Sequence, residues 1–302
     1  MKERVISKNR VVLVNTLAIL TAAAIAIILH AIMPASVDLL EFDSVFVKLI
    51  GFPLVAVSYF VMLFLHCAIV MRYFGKHLSL PKLEMGFRFG LVFALIYLLG
   101  MQEVVVEASP FGEWGLAFVI YQLFMGLGDA VPVMLLCLTI AHFTLENTNT
   151  YKPNQFLGVT EKIKIVSLIA IIFLIQRAIG YETGFVISNT EVYPLPSYLW
   201  TALFGIVLGV SYVVLYPMYA KEHNKLLLSL KLVVLTIGVN WIIFNSFIGL
   251  IFSGAMPQML LRSGIDTGMF FLSSIVISKY IIKPRIFSRY PRNRIFEVNF
   301  KR

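Results

Sequence analysis

Eight stretches of apolar residues follow one another along the chain, at approximately 11–33, 49–71, 86–101, 116–142, 163–180, 198–219, 227–251 and 258–282, with short polar segments between them. A helix that rises 1.5 Å per residue needs about 20 apolar residues to cross a hydrocarbon layer of about 30 Å, and most of these stretches reach that length. Those at 86–101 and 163–180 are the shortest. Backbone groups in lipid must be satisfied within the segment, so the pattern predicts an all-α fold, a polytopic transmembrane helix bundle of about eight spans. The first stretch is longer than the apolar core of a signal peptide. It ends in His30-Ala-Ile-Met-Pro34 with no small-x-small cleavage site, so it is expected to stay in the mature protein.

Composition removes the competing reading of a large soluble core. Hydrophobic residues make up 59% of the chain, charged residues 14%, and the mean hydropathy is +0.88. The charges that remain alternate. Of the 25 lysines and arginines, 22 fall in residues 1–10, 72–88, 152–164 and 221–231 and in the segment from Lys279 onward. The intervening segments hold Lys48, Arg177 and Arg262, together with Asp38, Glu41, Asp43, Glu103, Glu107, Glu113, Glu182 and Glu191. Positive-inside insertion then places both termini in the cytoplasm, with the plasma membrane as the expected location. The net charge of +9 is read as topogenic and lipid-facing, with no nucleic-acid partner implied. The tail 283–302 interleaves basic and aromatic residues and suits a segment lying on the inner leaflet or engaging a membrane or cytoplasmic protein.

The polar segment 143–162 divides the chain into two membrane halves of four spans each, 1–150 and 151–302. The halves resemble one another. Val57-Ser58-Tyr59 is echoed by Val210-Ser211-Tyr212, Leu78-Ser79-Leu80 by Leu228-Ser229-Leu230, and Gly100 by Gly249. Aligning the fourth and eighth spans sets Asp129 opposite Asp266. With an even number of spans per half, a duplication would give two copies of the same orientation, a parallel 4+4 repeat about an axis along the membrane normal.

Of the 16 acidic residues, only Asp129 and Asp266 fall inside apolar stretches, and an ionisable group at that depth is costly enough to be a functional candidate. Asp129 lies in a run with Gln122, Gly126, Gly128 and Pro132. Gln122, Gly126 and Asp129 share a helical face, and the glycines and proline are expected to loosen the helix around the acid. Asp266 follows Arg262 by one helical turn, and a pair between them, acting as polar glue, is the structural alternative. Asn240 and Asn245 lie in the seventh span five residues apart, on different faces, where each can bridge helices or line a pathway. Arg177 is expected to snorkel to the outer interface beside Gln176.

No enzyme signature accompanies these residues. GxSxG, Walker A, HExxH and aspartate-rich diphosphate-binding runs are all missing from the sequence, and Cys67 and Cys137 lack metal spacing. Gly126-Leu-Gly128-Asp129 spells GxGD, but no tyrosine precedes Asp266 and no Pro-Ala-Leu run follows. No cofactor, metal or catalytic residue is expected. Two function classes are left. One is a secondary transporter or channel for a small cation, a proton or a small solute, using Asp129 and Asp266. The other is a non-transporting sensor or assembly partner held together by the same polar residues.

Overall fold

A computed structural model describes residues 8–33, 42–75, 80–105, 115–145, 157–220 and 222–282. All the regular structure among them is helical, and eight helical spans are long and apolar enough to cross a membrane. The protein is thus a multipass membrane protein.

In chain order the spans are α1 (Lys8–Ile32), α3 (Phe52–Gly75), α4 (Lys82–Gly100, continued by a 3-10 turn, Met101–Val105) and α5 (Gly115–Thr144). They are followed by α6 (Val159–Glu182), α7 (Pro194–Tyr219), a composite seventh span and α10 (Met256–Val276). A short helix α2 (Val45–Ile50) precedes α3, joined through Gly51 at φ 82°, a left-handed conformation that only glycine adopts without strain. The seventh span opens as α8 (Lys225–Ser229), passes through a π-helix (Leu230–Gly238) and closes as α9 (Val239–Ile251). A second π segment, Ile277–Ile281, ends the eighth span.

Two expectations are corrected here. The third and fifth spans are full-length, because α4 runs on into the 3-10 turn and α6 extends beyond its most apolar stretch at both ends. The α5 helix is also unbroken through Gly126, Gly128 and Pro132. Those glycines permit close approach instead of unwinding. A Cβ on Gly126 would lie 2.8 Å from the Leu98 carbonyl oxygen of α4, and one on Gly128 would lie 3.1 Å from the His30 ring of α1. The tail 283–302, most of the segment between the halves, and Asp38, Glu41, Glu107 and Glu113 lie outside the described residues.

With no hydrophobic drive between helices in lipid, small residues set the packing. On α4, Gly86 and Gly90 meet Ala141, Cys137 and Met134 of α5. On α7, Gly205 and Gly209 meet Ala170 and Val166 of α6. Each pair is a small-x-x-x-small stripe on one helix face. Further contacts join α1 to α5 and α3, α9 to α10, and α6 to α10, while α4 crosses to α7 and α3 crosses to α9.

The two ends of the bundle are chemically distinct. At one end Arg72 donates to the Thr144 carbonyl at 2.5 Å, Lys82 to that of His142 at 2.6 Å, and Arg88 to Glu84 and to the Val214 carbonyl. Lys231 meets Glu222 at 2.7 Å there, and that hydrogen bond holds the Glu222 carboxyl below its usual range. At the opposite end Ser44 caps α2 and reaches the Leu250 carbonyl, and Asp43 accepts from the Ser253 backbone amide. The charge alternation in the sequence thus corresponds to a basic end and an acidic end in space.

Candidate functional site

Four arginine and carboxylate side chains from three different segments converge in the half of the bundle nearer the acidic end. Arg177 sits five residues before the end of α6, about 8 Å along the axis, and Asp266 lies ten residues into α10, about 15 Å from its start. Glu103 comes from the 3-10 turn after α4, and Arg262 stands one turn before Asp266 on α10. All four are closed off: Arg177 is 0% exposed, and Glu103, Arg262 and Asp266 are each 2%.

Asp266 is the acceptor at the centre. Arg177 approaches it bidentately, Nε to Oδ1 at 2.8 Å and Nη2 to Oδ2 at 2.5 Å, the fork geometry that makes arginine–carboxylate pairs strong. Gln176 donates to Oδ1 at 2.7 Å and the Trp241 indole to Oδ2 at 3.0 Å, so both carboxylate oxygens are saturated. Gly100 makes room for this, because a Cβ there would come within 2.8 Å of the Trp241 ring. Arg177 is also framed by aromatic faces, with Phe173 at 5.4 Å and Trp200 at 5.8 Å from the guanidinium carbon. Its Nη1 reaches the Tyr181 hydroxyl, which in turn meets Thr201.

Glu103 binds both cations through a single oxygen. Its Oε1 accepts from Arg177 Nη2 at 2.7 Å and lies 3.1 Å from Arg262 Nε. Arg262 Nη2 reaches Asn245 Oδ1 at 3.4 Å, and Asn245 is fixed by donating to the Trp241 carbonyl. Two cations and two anions therefore cancel in a site that excludes water, which is the condition under which buried charge is tolerable.

The sequence reading is revised in three places. Arg177 does not snorkel outward; Asp266 and Glu103 offer it partners inside, and the paired guanidinium loses less by burial than a lone one would. Glu103, read as a loop residue, is buried and central. The partner that neutralises Asp266 is Arg177, while Arg262 closes on Glu103. Asp266, Arg262 and Asn245 lie in one network, joined through Arg177 and Glu103.

Asp129 lies elsewhere, on α5, 1% exposed, with Gln122, Gly126, Gly128 and Pro132 buried beside it on the helix. Its Oδ1 is 3.5 Å from His30 Nε2 of α1. Asn240 joins a third group: its amide donates to the Tyr97 hydroxyl at 3.0 Å and approaches His66 Nδ1 at 3.3 Å and Cys67 Sγ at 3.4 Å. His66 Nε2 donates to the Leu235 carbonyl at 3.0 Å, within the π-helix. Asn240 and Asn245 thus point to different neighbours, as their spacing predicts.

The eighth span carries one more feature. Arg262, Ser263, Asp266, Thr267, Ser273, Ser274 and Ser278 are all buried and recur at helical spacing, so α10 and its π extension turn a polar stripe inward over most of their length. Ser263, Thr267 and Ser273 bond back to carbonyls one turn earlier on their own helix, and Ser274 meets Ser229 of α8. No protein-family model, curated protein or solved structure matches this chain.

Proposed function

We propose that this protein is a secondary transporter or channel for an ion or small polar solute, with the Arg177–Asp266–Glu103–Arg262 network as its closed gate. The observation that carries this reading is the network itself, set at the head of the polar stripe on α10. Apolar packing would hold these three helical segments together at lower cost than four buried charges, so charges at this depth point to work done there. The stripe of hydroxyls continues toward the basic end and supplies groups that a hydrated solute can exchange for water when the helices part. Both carboxylates and both arginines would be freed by one opening.

The same proposal orients the protein with the basic end and both termini in the cytoplasm, following the distribution of lysine and arginine. Glu191, before α7, and His223, after it, stand at opposite ends of a 26-residue helix about 39 Å long. Glu191→Cys should accept a membrane-impermeant maleimide in intact cells. His223→Cys should react only after permeabilisation, and the reverse result would invert the orientation.

We also read the halves as a parallel repeat, α1, α3, α4 and α5 matching α6, α7, the seventh span and α10. Neighbour relations support it. The α1–α5 contact has its counterpart in α6–α10, α1–α3 in α6–α7, α4–α5 in α9–α10, and the crossing of α4 to α7 in that of α9 to α3. Purified protein in proteoliposomes, challenged with a panel of small ions and polar solutes, should give flux above protein-free vesicles for at least one of them. Flux that never exceeds the vesicle background across the panel would favour a structural lock over a gate.

A further inference from the structure

We infer that His30 and Asp129 form a binding site for a single proton, the titratable counterpart of the permanent Arg177–Asp266 pair. Hydrogen-bond accounting carries this. His30 Nδ1 lies 2.8 Å from the Ala26 carbonyl, which can only accept, so Nδ1 must carry a proton. In a neutral imidazole the lone pair then sits on Nε2, and Nε2 is the atom that faces Asp129 Oδ1 at 3.5 Å. Both atoms are buried, and neither has any other hydrogen-bond partner among the described residues. A carboxylate opposite an imidazole lone pair would set two acceptors against each other in a dry site. One proton between them removes the conflict, whether it is drawn as imidazolium with carboxylate or as imidazole with carboxylic acid; the two are microstates of one coupled pair.

The surroundings leave the proton to this pair. Asp129 is faced by His30 from α1 and by Tyr59 from α3, whose hydroxyl donates to the Phe244 carbonyl at 3.4 Å. From α4, Leu98 packs on Gly126, and Tyr97 is held by Cys67 and Asn240. The 3-10 turn brings Glu103, whose carboxylate is turned to Arg177 and Arg262. On α1 the ring of His30 rests against Phe60 of α3 at 5.4 Å and over Gly128, where a side chain would crowd it.

Position strengthens the assignment. In each half, a cationic side chain near the acidic end of the first span meets the aspartate of the fourth: Arg177 on α6 with Asp266 on α10, and His30 on α1 with Asp129 on α5. One copy carries a fixed charge and the other a removable one. The proton site is a property of the pair and stands whether or not the protein passes a solute.

The test is the thermal stability of the full-length protein in lipid nanodiscs as a function of pH. The folded pair needs one proton to keep two acceptors from facing each other, so its stabilisation is present at low pH and is lost as pH rises through the pair's deprotonation. Between about pH 6 and pH 9 the native protein should lose roughly 5 °C or more in Tm. Asp129→Asn should flatten that slope, because its amide can donate to unprotonated Nε2 and no proton is needed. His30→Gln should do the same from the other side, and it serves if Asp129→Asn does not fold. Infrared difference spectra over the same range should show the carboxyl or imidazolium band of the pair in the native protein and lose it in both variants. A native slope that both variants retain, or a native protein with no slope and no band, would overturn the site.

Discussion

Replacing Arg177 with methionine should be among the most destabilising single changes in this protein. It would leave Asp266 and Glu103 facing each other across a closed site with only Arg262 to balance them. Breaking a buried pair by removing one partner costs about 3–5 kcal/mol, because the remaining charge is stranded. Thermal unfolding in detergent should register it as a Tm lower by about 10 °C. The informative comparison is Arg177→Met with Asp266→Asn. That double variant keeps one cation and one anion in the site, and it should regain most of the lost stability. Arg177→Lys should recover little, since an ammonium cannot reproduce the bidentate contact with Asp266. If the double variant is no more stable than the single, Arg177 acts through packing against Phe173 and Trp200 and not through charge.

If the network is the gate proposed above, Glu103→Gln should have the second large effect, on opening more than on folding. It keeps the shape of the side chain and one hydrogen bond, but removes the charge that ties α4 to both arginines. Weakening the closed state by roughly 3 kcal/mol moves the closed-to-open ratio about a hundredfold. Ser263, fully buried one residue after Arg262, reports this directly. A Ser263→Cys reporter should be modified by a maleimide about a hundred times faster in the Glu103→Gln background, and solute flux should rise with it. Unchanged labelling together with an unchanged unfolding profile would mean that Glu103 contributes nothing to closure.

These two predictions rest on residues that the sequence had set in the wrong place, and the reason is instructive. Glu103 and Arg177 each stand near the end of an apolar stretch, where a charge is cheap if it reaches the interface. Nothing local distinguishes a terminal charge that snorkels out from one that turns in to meet a partner. The distinction depends on Asp266, far away along the chain and brought near only when α10 packs against α6. Asp129 and Asp266 were visible because they lie deep inside apolar stretches where no escape exists. His30 was not, since a histidine at a helix end has many uses and its meaning comes from Asp129 on another helix.

The glycines show the same division. Gly126, Gly128 and Pro132 cluster in the sequence in a way that reads as a helix break, yet α5 is continuous. Proline in a long apolar helix can be carried without a break when neighbouring groups absorb the change, and the glycines instead admit the Leu98 backbone and the His30 ring. The π-helix in the seventh span had no sequence signature at all. Its local hydrogen bonds differ from those of an α-helix only by one residue in register, a choice settled by contacts such as His66 with the Leu235 carbonyl and Tyr219 with Thr236.

What the sequence determined by itself is the class of the molecule, an all-helical bundle with eight spans and a basic and an acidic end. That information is local: the length of an apolar run against the thickness of a bilayer, and the cost of moving a charged loop across it. What only the tertiary structure decided is which buried charges neutralise which. Pairing energy in a dry interior depends on distances of a few ångströms between residues up to 159 positions apart, as from Glu103 to Arg262, and no local pattern in the chain encodes it.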